Sequence, residues 1–121
     1  MNKGLFNLLV VLATATITLI PAKATAYCLQ GKTASGEYVR EGICAGSNLY
    51  FGKKITIYQR LPDGTIGNLI GTYDCLDKGG TDAIRNGYVI DVWKKDLEAC
   101  QEFMNLVYQD NCGGNIYIVV D

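Results

Sequence analysis

The chain has 121 residues, contains no histidine and carries a formal net charge of −1 from 11 basic and 12 acidic side chains. The absence of histidine excludes Ser-His and Cys-His nucleophilic catalysis and the common zinc sites. The slightly acidic balance argues against nucleic acid or an anionic lipid surface as the partner. Any catalysis must therefore depend mainly on carboxylates, with lysine, tyrosine or cysteine in support.

The first 26 residues have the pattern of a secretory leader. Lys3 gives a short positive start, residues 5–20 are almost wholly apolar or hydroxylated, and Pro21 ends the run. Ala24-Thr25-Ala26 offers a small-residue cleavage site, and Ala22-Lys23-Ala24 offers an earlier one. The apolar run is short for a bilayer span, although an uncut anchor is the alternative. The sequence predicts a leader over 1–26, one domain over 27–121 and no stable membrane insertion after cleavage.

Short β-strands dominate the predicted elements after the leader. The clearest is 54–59, where apolar and polar residues alternate with a period of two. The Pro62-Asp63-Gly64 turn predicts that this strand and the next form a hairpin over 54–76. The full set of predicted strands is 27–29, 37–39, 42–45, 54–59, 68–76, 88–93 and 116–120.

One helix is predicted near the C-terminus. Apolar residues recur at helical spacing over 95–108, and Asp96 is placed to cap the first turn. This stripe is interpreted as core packing. Six or seven short strands with a single helix predict a mainly β fold, a small β-barrel.

The five cysteines all lie in the predicted mature domain. In an exported chain they are disulfide candidates, and no two of them have the C-x-x-C spacing of a zinc ribbon or thioredoxin motif. An odd number allows at most two bridges within the chain, and the pairing stays open. Burial as small thiols in a strand core is the alternative for Cys44 and Cys75. The candidates are Cys28, Cys44, Cys75, Cys100 and Cys112.

Asp91 is the strongest candidate for an acid–base group. It lies between Ile90 and Val92 in a predicted strand, and Trp93 follows. A carboxylate among apolar β-formers is costly to desolvate, so its pKa rises and it becomes a usable proton donor. A structural ion pair with a nearby cation, Arg85 or Lys54, is the alternative.

Several segments in fixed order resemble the three-aspartate (3D) domain family. The core of the resemblance is Asp77-Lys78-Gly79-Gly80, then Ile84-Arg85-Asn86-Gly87, then Ile90-Asp91-Val92-Trp93. Three further segments agree, and together they extend it over nearly the whole predicted mature chain: Thr25-Ala26-Tyr27-Cys28, Thr33-Ala34-Ser35-Gly36 and Phe51-Gly52-Lys53-Lys54-Ile55. The resemblance implies a small six-stranded double-psi β-barrel with one helix near the C-terminus, related to the catalytic barrel of membrane-bound lytic transglycosylase A.

The resemblance also implies roles for two aspartates. Asp91 matches the general acid/base, and Asp77 matches the turn aspartate beside it. Asp77 could instead be a turn residue that bonds its own backbone. The family's third aspartate has no counterpart here, because residues 44–48 contain no carboxylate, and Thr81-Asp82 looks inserted before the second segment.

The function that follows from the resemblance is action on peptidoglycan glycan strands by a secreted or cell-wall-associated bacterial protein. The expected reaction is that of a lytic transglycosylase-like enzyme, which cleaves the MurNAc–GlcNAc bond to leave 1,6-anhydro-MurNAc ends. No cofactor or metal is expected, and the protein is expected to be a monomer. The alternatives are a non-catalytic glycan-binding barrel and a disulfide-stapled secreted inhibitor or toxin-like effector. The expected substrate-binding residues are Lys54, Gly79, Tyr88 and Trp93, although Trp93 could equally be a core residue.

Overall fold

A computed structural model describes residues 17–121 of the chain. Six strands make up its sheet: β1 (Ile20–Tyr27), β2 (Ile43–Gly46), β3 (Lys54–Arg60), β4 (Ile66–Lys78), β5 (Val89–Trp93) and β6 (Asn115–Val120). The helices are α1 (Asp82–Arg85) and α2 (Leu97–Tyr108), with short 3-10 turns at Asn48–Tyr50 and Gln109–Asn111.

The strands close into a barrel in the order β1-β5-β2-β4-β3-β6, with β6 returning to β1. Two neighbouring pairs are parallel, β1 with β5 and β2 with β4, and the other pairs are antiparallel. This closed six-stranded mixed barrel with a C-terminal helix confirms the predicted fold class.

Alternating apolar side chains fill the barrel. Ile55 and Ile57 of β3 and Ile116 and Ile118 of β6 are all 0% exposed, as the period-two pattern requires. Helix α2 covers one side of this core through two buried side chains, one of which is Phe103. Burial of each such side chain contributes about 1.5–3 kcal/mol relative to exposure, so this core is the main source of stability.

The hairpin and the helix are confirmed. β3 and β4 pair antiparallel across the turn, where Gly64 has the positive φ of 85° that glycine tolerates. The Asp96 side chain accepts a hydrogen bond from the Ala99 amide at 2.8 Å and caps α2.

Two of the predicted short strands are wrong. Segment 37–39 forms only an isolated bridge between Lys32 and Tyr38, and of 27–29 only Tyr27 belongs to a strand. The chain from 28 to 42 is instead a loop over the outside of the barrel, named the covering loop below. Gly31 and Gly36 have φ values of 121° and 90°, which break any extended run there.

Strand β1 begins at residue 20, inside the predicted leader. It pairs with both β5 and β6, and Ala22 and Ala24 are buried in the core. Cleavage after Ala26 would remove this strand and leave the edges of β5 and β6 unpaired. The leader stays a prediction, and residues 1–16 of it lie outside the described part of the chain.

Across residues 17–121, the helices are too short or too polar to span a bilayer.

Candidate functional site

Asp91 lies on the outer face of β5. Its neighbours Ile90 and Val92 are 0% exposed inside the barrel, and successive side chains of a strand point to opposite faces. In the strand register its partners are Thr25 on β1 and Ala45 on β2. All three side chains therefore share the outer surface.

Asp77 joins the same row because of a β-bulge. Cys44 of β2 pairs with Cys75 of β4, but the next residue, Ala45, pairs with Asp77, so that Leu76 is an extra residue. In a regular strand Asp77 would follow Cys75 into the barrel interior. The bulge turns it outward, and Thr25, Asp91, Ala45 and Asp77 form one row across four strands, which we call the Asp91 row.

Ala45 separates the two carboxylates of the Asp91 row. Two interstrand spacings of about 4.8 Å each divide the backbones of Asp91 and Asp77. Ala45 is 4% exposed, so the surface between the two acids is covered at this position.

The environment of Asp91 favours its protonated form. Its carboxyl is half-buried, and this burial raises its pKa above the ordinary value, with the nearby charge of Asp77 acting in the same direction. The Thr25 hydroxyl donates a hydrogen bond to Asp91 Oδ1 at 2.8 Å and partly opposes the rise. Asp91 is therefore a carboxyl with an elevated pKa on an outer surface, as its sequence neighbours predict.

The two cations named as structural partners of Asp91 are engaged elsewhere. Arg85 forms its ion pair with Asp82, in the short helix α1. The ammonium group of Lys54 lies 3.2 Å from the carboxylate of Asp74. Neither ion pair involves Asp91, so the structure does not support the ion-pair alternative.

Asp77 holds three hydrogen bonds. Its Oδ1 accepts from the backbone amides of Ala34, at 3.0 Å, and Lys78, at 2.9 Å. Its Oδ2 accepts from the Tyr27 hydroxyl at 3.1 Å. Burial and the charge of Asp77 raise the pKa of Tyr27, so the phenol stays protonated and donates. Asp77 thus bonds its own turn, as the alternative interpretation proposes, and also fastens the covering loop to β4.

Within residues 17–121, the four expected substrate-binding residues make no hydrogen bond or ion pair with Asp91 or Asp77. Trp93 is 6% exposed, and its indole N–H donates to the Leu29 carbonyl at 2.8 Å, so its ring lies beneath the covering loop and not on the surface. Gly79 lies so close to Ile84 that a Cβ there would collide with that side chain, which explains the glycine structurally. Lys54 is paired with Asp74, and Tyr88 is 66% exposed.

A cleft of about 310 Å³ lies beside α2, and its lining does not include Asp91 or Asp77. It is lined in part by Tyr73, Lys94 and Phe103. Tyr73 packs edge-on against Phe103 with ring centroids 6.3 Å apart, and burial raises the pKa of Tyr73 to about 12. Tyr73 is therefore a core residue at the edge of the cleft.

Metal-ligating side chains do not cluster within residues 17–121 in groups of three or more. The Asp91 row itself offers three groups for chemistry. These are a carboxyl with an elevated pKa, a hydroxyl that bonds to it, and a second carboxylate held by three donors.

Sequence reasoning missed Thr25 and Tyr27 as site residues. Both donate a hydrogen bond to a site carboxylate. Thr25 lies in the predicted leader, so its local pattern provides no reason to place it in the folded domain. The partner of Tyr27, Asp77, lies 50 positions away, and the residues around Tyr27 do not indicate it. Thr25-Ala26-Tyr27-Cys28 is one of the segments that carry the sequence resemblance, and this was the signal that could have found them.

Comparison of the chain with protein-family models, with curated proteins and with solved structures found no match.

Proposed function

We propose that this protein acts on the glycan strands of peptidoglycan as a lytic transglycosylase-like enzyme, with Asp91 as general acid/base. The supporting observation is the half-buried Asp91 carboxyl, whose pKa is raised on an outer face beside a second carboxylate. A carboxyl of this kind keeps its proton at a higher pH than an exposed one, and a general acid needs that property. The proposal includes export of a monomeric protein to the bacterial cell wall.

The proposed reaction needs one acid–base group. Protonated Asp91 donates its proton to the glycosidic oxygen between MurNAc and GlcNAc as the bond to C1 breaks. The C6 hydroxyl of the same MurNAc attacks C1, and the Asp91 carboxylate accepts the hydroxyl proton. The products are a free GlcNAc hydroxyl and a 1,6-anhydro-MurNAc end, and Asp91 regains its proton.

The hydrogen bonds of Asp77 favour this reaction over ordinary hydrolysis. A hydrolytic glycosidase needs a second carboxylate as base or nucleophile. Both oxygens of Asp77 already accept hydrogen bonds, two of them from backbone amides, so this carboxylate is committed to holding the chain. In the proposed mechanism Asp77 contributes only its charge, which helps to raise the pKa of Asp91.

The same observation favours a second candidate, a non-catalytic barrel that binds glycan. Because Asp77 is committed to the covering loop and Trp93 is buried beneath it, the site offers fewer free catalytic and aromatic groups than the resemblance implies. Such a barrel would bind intact sacculi without releasing sugar.

The deciding experiment is product analysis on purified sacculi by liquid chromatography and mass spectrometry. The enzyme should release anhydro-muropeptides, and Asp91→Asn should lower the rate by about 10²- to 10⁴-fold, the usual contribution of general acid–base catalysis. Asp74→Asn is the matched control, since Asp74 is a strand aspartate on β4 that pairs with Arg40 and Lys54, and it should retain the activity. The rate should fall as pH rises through the elevated pKa of Asp91, because the general acid then loses its proton.

Two results would contradict the enzymatic proposal. One is an unchanged rate in Asp91→Asn. The other is co-sedimentation of the wild-type protein with sacculi and no anhydro product, which would select the binding barrel.

A further inference from the structure

The barrel brings Cys44 and Cys75 together in its interior. They are Cα partners on the neighbouring parallel strands β2 and β4, and each is 0% exposed. Neighbouring strands lie about 4.8 Å apart, inside the range of about 4.4–6.8 Å between the Cα atoms of a disulfide. Both side chains point into the core, so the pair has the backbone geometry of a bridge.

The surroundings of this pair leave room for sulfur. Gly46 lies two residues after Cys44 on β2. A Cβ at this position would lie only 3.0 Å from Cys75 Sγ, so the absence of a side chain at Gly46 leaves space for that sulfur atom. The hydrogen bond with the Cys75 thiol, together with burial, raises the pKa of Cys44. The strand register and the complete burial of both side chains place the two thiols side by side in the core.

Cys28 and Cys100 form a second pair at the end of the barrel. Cys28 directly follows β1, whose last residue, Tyr27, pairs with Trp93 and accepts a hydrogen bond from the Lys94 amide at 2.8 Å. This places Cys28 beside the first turn of α2, which contains Cys100. Helix α2 packs against β1, so Cys28 and Cys100 lie at the same end of the barrel. Burial, together with the nearby Cys28 thiol, raises the pKa of Cys100.

Cys112 is the cysteine left over. It is 1% exposed and follows the 3-10 turn before β6. All five cysteines lie in the described residues and are free thiols there, so two bridges would leave a single thiol.

We propose that the oxidised protein carries two disulfides, Cys28–Cys100 and Cys44–Cys75, and retains Cys112 as a buried thiol. Each bridge forms when two thiols lose two protons and two electrons to a disulfide oxidant such as oxidised glutathione, which is reduced to two molecules of glutathione. This inference is independent of the proposed function.

The two bridges differ in access. Cys28 and Cys100 are partly exposed, whereas Cys44 and Cys75 are sealed in the core. A thiol reductant must reach a sulfur atom to attack it. The bridge at the barrel end should therefore be reduced in the native protein, and the core bridge only when the barrel opens.

The test is a peptide map of the protein refolded in a buffer of reduced and oxidised glutathione. Free thiols are alkylated in denaturant, and the protein is digested without reduction and examined by mass spectrometry. The expected result is cross-linked peptides joining 28 to 100 and 44 to 75, with the alkyl group on Cys112. Any other pairing, or five alkylated cysteines, would overturn the proposal.

Variants keep the test decisive. Cys112→Ser should leave both cross-links in place. The double variant Cys28→Ala with Cys100→Ala should lose the cross-link between 28 and 100 and retain the one between 44 and 75. This variant keeps the proposal testable even if replacing both core cysteines prevents folding. Brief treatment of the native protein with dithiothreitol should expose Cys28 and Cys100 to alkylation at least tenfold faster than Cys44 and Cys75. Equal rates would contradict the assignment of the Cys44–Cys75 bridge to the sealed core.

Discussion

The outer surface of the barrel holds two aspartates in opposite electrostatic environments. Asp91 has burial, one hydroxyl donor and a neighbouring carboxylate, and its pKa is raised. Asp74 has the side chains of Lys54 and Arg40, each 3.2 Å away, and its pKa is lowered. The comparison shows that the position of an aspartate on a strand face does not determine its carboxyl pKa. The pKa depends on the neighbouring cations and on how far the carboxylate is removed from water.

The largest loss of unfolding free energy is expected for substitutions on β4, where Asp77 and Asp74 accept hydrogen bonds from different kinds of donor. Asp77→Ala leaves the Ala34 amide and the Tyr27 hydroxyl without their acceptor, and should cost about 2–3 kcal/mol of unfolding free energy. Asp74→Ala breaks surface ion pairs and should cost less than about 1 kcal/mol. Urea denaturation measures both, and equal losses would break the distinction between backbone donors and surface cations.

A smaller effect is expected when the cations of Asp74 are removed. Lys54→Met should raise the pKa of Asp74 towards the ordinary carboxyl value, because the Lys54 hydrogen bond is the largest contribution to the lowering. The cost in stability should stay below about 1 kcal/mol, since the pair is exposed. NMR titration of the side-chain carboxyls measures the shift.

Arg85→Met is the matched control for this titration, because Arg85 pairs with Asp82 and should leave Asp74 unchanged. The titration of Asp91 should not move in either variant. A shift of Asp91 in Lys54→Met would show that the two regions are electrostatically coupled.

The smallest effects are expected in the pH dependence of stability, and the two aspartates should differ in sign. Between its unfolded and its raised folded pKa, Asp91 binds more protons in the native state, so its contribution to stability falls as pH rises through that window. The Asp91→Asn variant lacks this titration. Its unfolding free energy should therefore increase relative to that of the wild type as pH rises through the same window.

Asp74→Asn should behave in the opposite way. The lowered pKa of Asp74 gives stability that is present above the unfolded pKa and lost as pH falls through the folded pKa. The variant should therefore be less stable than the wild type at neutral pH and approach it in acid. Urea midpoints across this range measure both variants, and parallel curves would contradict the contrast between the two sites.

Local pattern predicts well where the determinants lie close together in the chain. The alternation in 54–59 indicates β3, the Pro62-Asp63-Gly64 turn indicates the hairpin, and Asp96 caps the helix that it precedes. Asp91 belongs to this group too, because its two buried neighbours, Ile90 and Val92, force it outward.

The failures have a common cause in long-range pairing. The loop at 37–39 has strand-like composition but finds no strand partner beyond one bridge. Segment 20–26 reads as part of a leader, yet it pairs with both β5 and β6. The sequence allows Trp93 to be either a surface or a core residue. In the structure its ring is buried, because the covering loop packs over it and the Leu29 carbonyl accepts a hydrogen bond from its indole N–H.

The amino-acid sequence by itself determined that this chain forms a small mainly β fold with a C-terminal helix, and that Asp91 is its leading acid–base candidate. Periodicity and immediate neighbours carry that information, because strand faces and helix stripes depend on residues a few positions apart. Only the tertiary structure decided that a bulge at Leu76 turns Asp77 outward, that Thr25 bonds Asp91, and which cysteines meet. Those contacts join residues far apart in the chain, and closure of the barrel creates them.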